Sequence, residues 1–124
     1  MSNLVFIGVG GAVGAILRYL VDQIAIHNFG STLLGTFAVN ISGSFVLGVL
    51  VGLFYSHPDW PVEIRLFLAI GILGSYTTFS TFSVATIQSL QSGQILAAGI
   101  SLLGNIVIGL TVAYIGLMVG KSIY

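Results

Sequence analysis

The sequence predicts an all-α membrane protein of four transmembrane helices, with a break in the third. Three observations predict it. Charged side chains are almost absent: three Lys or Arg and three Asp or Glu in 124 residues, or 5%, against roughly 25% in a soluble domain. Apolar residues make up 56% and the mean hydropathy is +1.12, so a water-facing surface would lack the charge that keeps a globule dispersed. Finally, no Asp, Glu, Lys or Arg occurs from Gln23 to Pro58 or from Leu66 to Gly120, where a helix crossing the hydrocarbon needs about 20 apolar residues. These runs are continuously apolar rather than alternating, which disfavours a β-barrel.

The spans follow from the polar breaks. The first helix covers about 4–26 and ends at His27-Asn28-Phe29-Gly30-Ser31. A signal peptide is an alternative reading of this span, but it lacks a basic leading region and a cleavage site. The second covers 32–55 and ends at Ser56–Pro61, where both prolines mark a helix end and a new start. The third covers 62–87, up to Gln88–Gln94, and the fourth 95–119. The whole chain, 1–124, reads as one transmembrane domain. Four spans put both termini on one side with Arg65 and Lys121, while Arg18 lies nearer the other side. That is a feeble positive-inside bias. A chain so weakly oriented inserts both ways, and opposite insertions can pair; the plainer alternative is that a small protein has few charges.

Several function classes are excluded. There is no cysteine, hence no disulfide framework or thiol nucleophile. Three scattered basic residues make no phosphate-tracking patch, so nucleic acid is not a partner. No nucleophile–base–orienter set can be assembled, which makes an enzyme the poorest reading. Gly8-Val9-Gly10-Gly11-Ala12-Val13-Gly14 fails the dinucleotide-binding spacing, since Val13 stands where the third glycine belongs and no strand precedes it. Helix packing accounts for it better. Gly10 and Gly14, Gly48 and Gly52, and Gly116 and Gly120 are small-xxx-small pairs that let helices approach.

Candidate functional residues lie on three spans. Thr36, Asn40, Ser44, Gly48 and Gly52 form a slanted ribbon along the second helix, and Ser101, Asn105, Gly109 and Ala113 repeat it on the fourth. An Asn amide facing lipid leaves donors and acceptors unpaired, so Asn40 and Asn105 should face protein or water; an interhelical hydrogen bond alone would explain either. On the third helix, Gly74-Ser75-Tyr76-Thr77-Thr78-Phe79-Ser80-Thr81-Phe82-Ser83 sets hydroxyls beside a glycine at mid-membrane depth. Such residues favour a local break, and irregular backbone at that depth is tolerated where it lines a cavity or holds an ion. Phe79 and Phe82 add ring edges of partial positive charge. Neutral donors of this kind suit passive permeation of a small anion, while carbonyls freed at the break would suit a hard cation such as Na⁺. The one acid of the second to fourth helices, Glu63, stands at the start of the third beside Pro61 and is poorly placed to couple protons.

These residues resemble the small dual-topology fluoride channels, the Fluc or CrcB family, over essentially the whole chain. The match is carried by GGAVGAILRY at 10–19, GTFAVNISGSF at 35–45 and GILGSYTTFSTFS at 71–83. The resemblance implies an antiparallel dual-topology homodimer with two fluoride pores along its interface. It implies that Phe79 from one subunit and Phe82 from its partner present ring edges to fluoride, that Asn40 points into the pore, and that Ser101 and Asn105 continue a polar track. With Thr36, Ser80 and Thr81, these are the candidate pore residues. Arg18 falls on the family's arginine near an aqueous vestibule; its alternative is a pair with Asp22, four residues on. The resemblance further implies a central structural Na⁺ held by the backbone carbonyls of Gly74 and Thr77 from each subunit.

The chain departs from the family pattern at three places. Ser75 and Tyr76 replace a Gly-Phe, Ala85 stands where a glutamate is common, and Gly109 and Ala113 offer no side-chain donor. The implied function is a fluoride-selective channel, exporting cytoplasmic fluoride passively and relieving its toxicity, in a bacterial-type inner membrane. The alternatives are one subunit of an obligate heterodimer with a paralogue and, further off, a small proton-coupled cation exporter.

Overall fold

The computed structural model describes residues 2–123, and four membrane-length apolar helical segments run through them. We number the helices α1 (Ser2–Phe29), α2 (Thr32–Ser56), α3 (62–76), α4 (Phe79–Gln91) and α5 (Ile95–Ser122). The pair α3 and α4 together form the third span, Val62–Gln91. No strand occurs among the described residues. This is a multi-pass membrane protein. Four spans are present as expected; the first, third and fourth run a few residues longer than the sequence suggested, and the second one residue longer. The terminal residues of the 1–124 domain, Met1 and Tyr124, lie outside the described residues.

The connections are short for physical reasons. Between α1 and α2 only Gly30 and Ser31 leave the helix, because Gly30 takes φ 67° and the Ser31 hydroxyl accepts from the Leu34 amide at 3.3 Å. His27, Asn28 and Phe29, expected in the turn, instead continue α1. Gly93, at φ 82°, makes the turn between α4 and α5. The connection between α2 and α3 is held by Arg65, which donates to the carbonyls of His57 and Trp60, each at 3.2 Å. Its guanidinium also lies 5.3 Å from the centroid of the Phe54 ring.

Glycine seams join the helices. On α2 and α5, a Cβ at Gly48 would strike the Ala113 carbonyl, and one at Gly116 the Phe45 carbonyl. Gly10 and Gly14 of α1 meet α3 in the same way at Phe67, Gly71 and Ile72. All three small-xxx-small pairs of the sequence therefore lie in interhelical seams. The protein interior is thin. Val39 and Ala98, each 1% exposed, lie deepest, while most large aliphatic side chains point outward, as a chain solvated by lipid requires.

Two stretches depart from α-helical winding. Leu66–Leu73 within α3 and Gly104–Ile108 within α5 are π-helical. The break also falls later than Gly74 suggests: Gly74–Tyr76 stays helical, and Thr77 (φ −82°, ψ 152°) and Thr78 (φ −150°, ψ 120°) are extended.

Candidate functional site

A two-residue interruption inside a membrane span strips several backbone groups of their helical partners, and each needs a substitute. The Thr78 amide, which would have reached the Gly74 carbonyl, donates to Asn40 Oδ1 at 2.9 Å. The Thr81 amide, which would have reached the Thr77 carbonyl, is accepted by the Thr78 hydroxyl at 3.3 Å, making Thr78 the N-cap of α4. The Leu73 carbonyl takes both the amide (3.1 Å) and the hydroxyl (3.0 Å) of Thr77. The Ser75 carbonyl receives Arg18 Nε at 3.1 Å. These substitutions divert the regular helical donors of two carbonyls, those of Gly74 and Thr77.

Asn40 is the brace of this break. Besides accepting from the Thr78 amide, its Nδ2 donates to the Thr78 carbonyl at 3.1 Å and to Asn105 Oδ1 at 2.9 Å. Both of its amide hydrogens are thus engaged. Asn105 Nδ2 in turn donates to the Ser101 carbonyl at 2.8 Å, with Ser101 Oγ at 3.4 Å. One chain of hydrogen bonds therefore runs from the break through α2 to the π-helical turn of α5. Opposite Asn40, the hydroxyls of Tyr76 and Ser42 are 2.9 Å apart and tie the end of α3 to α2.

Polar clefts meet around the break. One, of about 240 Å³, is lined by Asn40, Ser44, Thr77, Thr78, Phe79, Phe82 and Asn105. Phe79 is 78% exposed and Phe82 only 5%, with ring centroids 5.8 Å apart at 53°. A second, of about 150 Å³, is lined by Arg18, Asp22, Thr36, Val39, Thr78 and Thr81. A third holds Thr32, Ser80, Thr81, Ala85 and Gln88. Thr78 belongs to the first and second, and Thr81 to the second and third. The candidate pore residues thus line these three adjoining clefts, except Ser101, which lies behind Asn105 and lines an apolar cleft with Phe37 and Ile100. Of the two candidate carbonyl ligands, Thr77 lines the first cleft and Gly74 lines none of the three.

The hydrogen bonds of Arg18 and Asp22 do not join the two side chains. Arg18 donates to the Ser75 carbonyl, and Asp22 Oδ1 accepts from the Thr32 hydroxyl at 2.8 Å. Sequence reasoning singled out neither Thr78 as a cap nor Thr32. The signal for Thr78 was present, since a Thr directly before a new helical run is a cap signature. Thr32 carried none, because its partner lies on another helix.

Comparison with known proteins bears on the whole chain. The family model described as "CrcB-like protein, Camphor Resistance (CrcB)" matches residues 5–117. The chain belongs to the CrcB family. Among curated relatives, the Fluoride-specific ion channel FluC of Shewanella amazonensis is 41% identical over 94% of each chain. Its namesake from Rhizobium johnstonii is 38% identical over 99% of each. That of Agrobacterium fabrum is 35% identical over the full length of both. The CrcB match runs from α1 into α5, so the polar clefts and the break lie inside it.

Proposed function

We propose that this chain forms a fluoride-selective channel, passing fluoride passively down its electrochemical gradient. The observation that carries the reading is the cleft beside the break, where Phe79, Phe82, Thr77, Thr78, Asn40 and Asn105 surround a space with no charged side chain. Fluoride is small and tightly hydrated, so several neutral donors in sequence must replace its water. Moderate sites let the ion leave again, where one fixed cation would trap it. The names borne by the full-length relatives support the same ion.

In this reading Phe79 and Phe82 offer ring edges, and Ser80, Thr81 and Thr36 offer hydroxyls along the approach. Arg18 draws the anion toward the break. Asn40 and Asn105 keep the pore wall in register, since their amide hydrogens already serve Thr78, Asn105 and Ser101. The nearly full exposure of Phe79 favours a second copy against that face, supplying the other half of the pore. An antiparallel homodimer meets this need.

The residues at the break also fit a Na⁺ ion. The Gly74 and Thr77 carbonyls have had their helical donors diverted, and hard cations take oxygen ligands. One chain offers two such oxygens, so the ion would sit where two copies meet. Its role would be to hold the broken backbones together.

A second reading, a subunit of a heterodimer, rests on Ala85. The cleft around it contains Thr32, Ser80, Thr81 and Gln88 but no carboxylate, so a paralogue could supply one. The test is fluoride efflux from liposomes holding this purified chain alone, with chloride as control. Fast fluoride efflux without chloride efflux is the expected result. Failure of folded, dimeric protein to conduct would overturn the homodimeric channel and favour the heterodimer.

A further inference from the structure

Two opposite charges lie one helical turn apart on the same face of α1, yet their hydrogen bonds go elsewhere. Arg18 is anchored to the Ser75 carbonyl at 3.1 Å, and Asp22 to the Thr32 hydroxyl at 2.8 Å. Both line the cleft that reaches Thr78 and, through it, the phenylalanine cleft. Asp22 lies nearer the Phe29 end of α1, about 6 Å outward from Arg18 at 1.5 Å per residue. An anion approaching from that end therefore meets the carboxylate first.

The separation is built in. Gly35 carries no side chain, and a Cβ there would lie 2.5 Å from Asp22 Oδ1, so α2 leaves room for the carboxylate beside Thr32. On the inner side, Arg18 is drawn to the freed carbonyl of the break. A charge inside a membrane span is costly and marks a functional position. Here two are held within one half-buried cleft with their hydrogen-bonding capacity directed to different partners.

We propose that Asp22 limits anion conduction: its fixed negative charge weakens the pull of Arg18, so that at low concentration, where entry limits the flux, fewer anions are drawn into the cleft. The inference rests on the channel reading above. Without the carboxylate, Arg18 would act alone on the approaching anion, and occupancy of the cleft at low anion concentration would rise. Thr32 is a positioning residue in this scheme, because it keeps the carboxylate from swinging onto Arg18.

The test is fluoride efflux from liposomes at low fluoride, in low and in high salt, for the wild type, Asp22→Asn, Thr32→Val and the control Asp59→Asn in the α2–α3 connection. Asp22→Asn should raise the low-salt flux by about three- to tenfold, as focused fields in a cleft do. That gain should shrink toward none near 1 M salt, where the screening length is about 3 Å. Thr32→Val should lower the low-salt flux by about two- to threefold, as the released carboxylate quenches Arg18, and it serves if Asp22→Asn does not assemble. Asp59→Asn should match the wild type. A conducting wild type with Asp22→Asn unchanged, or changed equally at both salt levels, would overturn the inference. No flux from the wild type would overturn the channel reading itself, and this inference with it.

Discussion

Two of the membrane spans are interrupted at depth, and they are interrupted differently. In the third span the chain leaves the helix for two extended residues, Thr77 and Thr78. In the fourth, Gly104–Ile108 widens to π-helical winding without leaving the helix. The first kind of interruption diverts amides and carbonyls, and the molecule meets it with borrowed groups: Asn40 from α2, Arg18 from α1, and the hydroxyls of Thr77 and Thr78. The second kind redirects backbone bonds and needs few substitutes. Only the first hands backbone groups to side-chain partners; the second aims one side chain, Asn105, at the brace. The Asn40–Asn105 hydrogen bond joins the two.

The open break depends most on Asn40. Asn40→Leu leaves the Thr78 amide and carbonyl without their side-chain partner, at about 1–3 kcal/mol for each unsatisfied buried group. Fluoride efflux should vanish and the melting temperature in detergent should fall; normal flux from this variant would show that the break does not depend on its brace. Next in size, Phe82→Ile and Phe79→Ile should each abolish or greatly reduce flux while size-exclusion chromatography still shows intact assembly. If both conduct like the wild type, the cleft beside the break is not the pore.

Smaller effects are expected at Thr78 and Asn105. Thr78→Val removes the cap of α4 and should cost roughly 0.5–2 kcal/mol in chemical denaturation, with Thr78→Ser close to wild type. Equal losses in the two variants would argue against the cap. Asn105→Ala should be mildest, about 0.6 kcal/mol as typical for an interhelical hydrogen bond in a membrane protein. Asn40 keeps both of its bonds to Thr78 in that variant, so a loss as large as that of Asn40→Leu would mean that the π-helical turn, too, depends on side chains.

The four spans were legible because charge and hydropathy are local properties, and the glycine pairs were legible because close approach demands small residues. The position of the break was less so. Gly74 looks like the natural breaker, yet it stays helical, and the chain opens at Thr77 and Thr78 because Asn40 on another helix stands ready to receive Thr78. Arg18 teaches the same lesson: spacing along α1 points to Asp22, but the freed Ser75 carbonyl is its observed partner. The π-helical stretches left no mark that residue types could reveal. Among the candidate residues, Asn40, Asn105, Thr36, Ser80 and Thr81 were singled out by polarity at membrane depth, and Phe79 and Phe82 by their ring edges and spacing. Thr32 was not, since its meaning lies wholly in a contact between helices.

The break has one more consequence, which belongs to the peptide units rather than to the side chains. Helix α3 ends and α4 begins within two residues, so the negative pole of one macrodipole and the positive pole of the next lie nearly back to back at mid-membrane. Carbonyls point out of one stub and amides out of the other. Poles of opposite sign thus lie at neighbouring points of a stretch, Gly74 to Ser83, that contains no charged residue. What discriminates them is the direction of the chain, a property that no change of pH can titrate and that few side-chain substitutions can reverse.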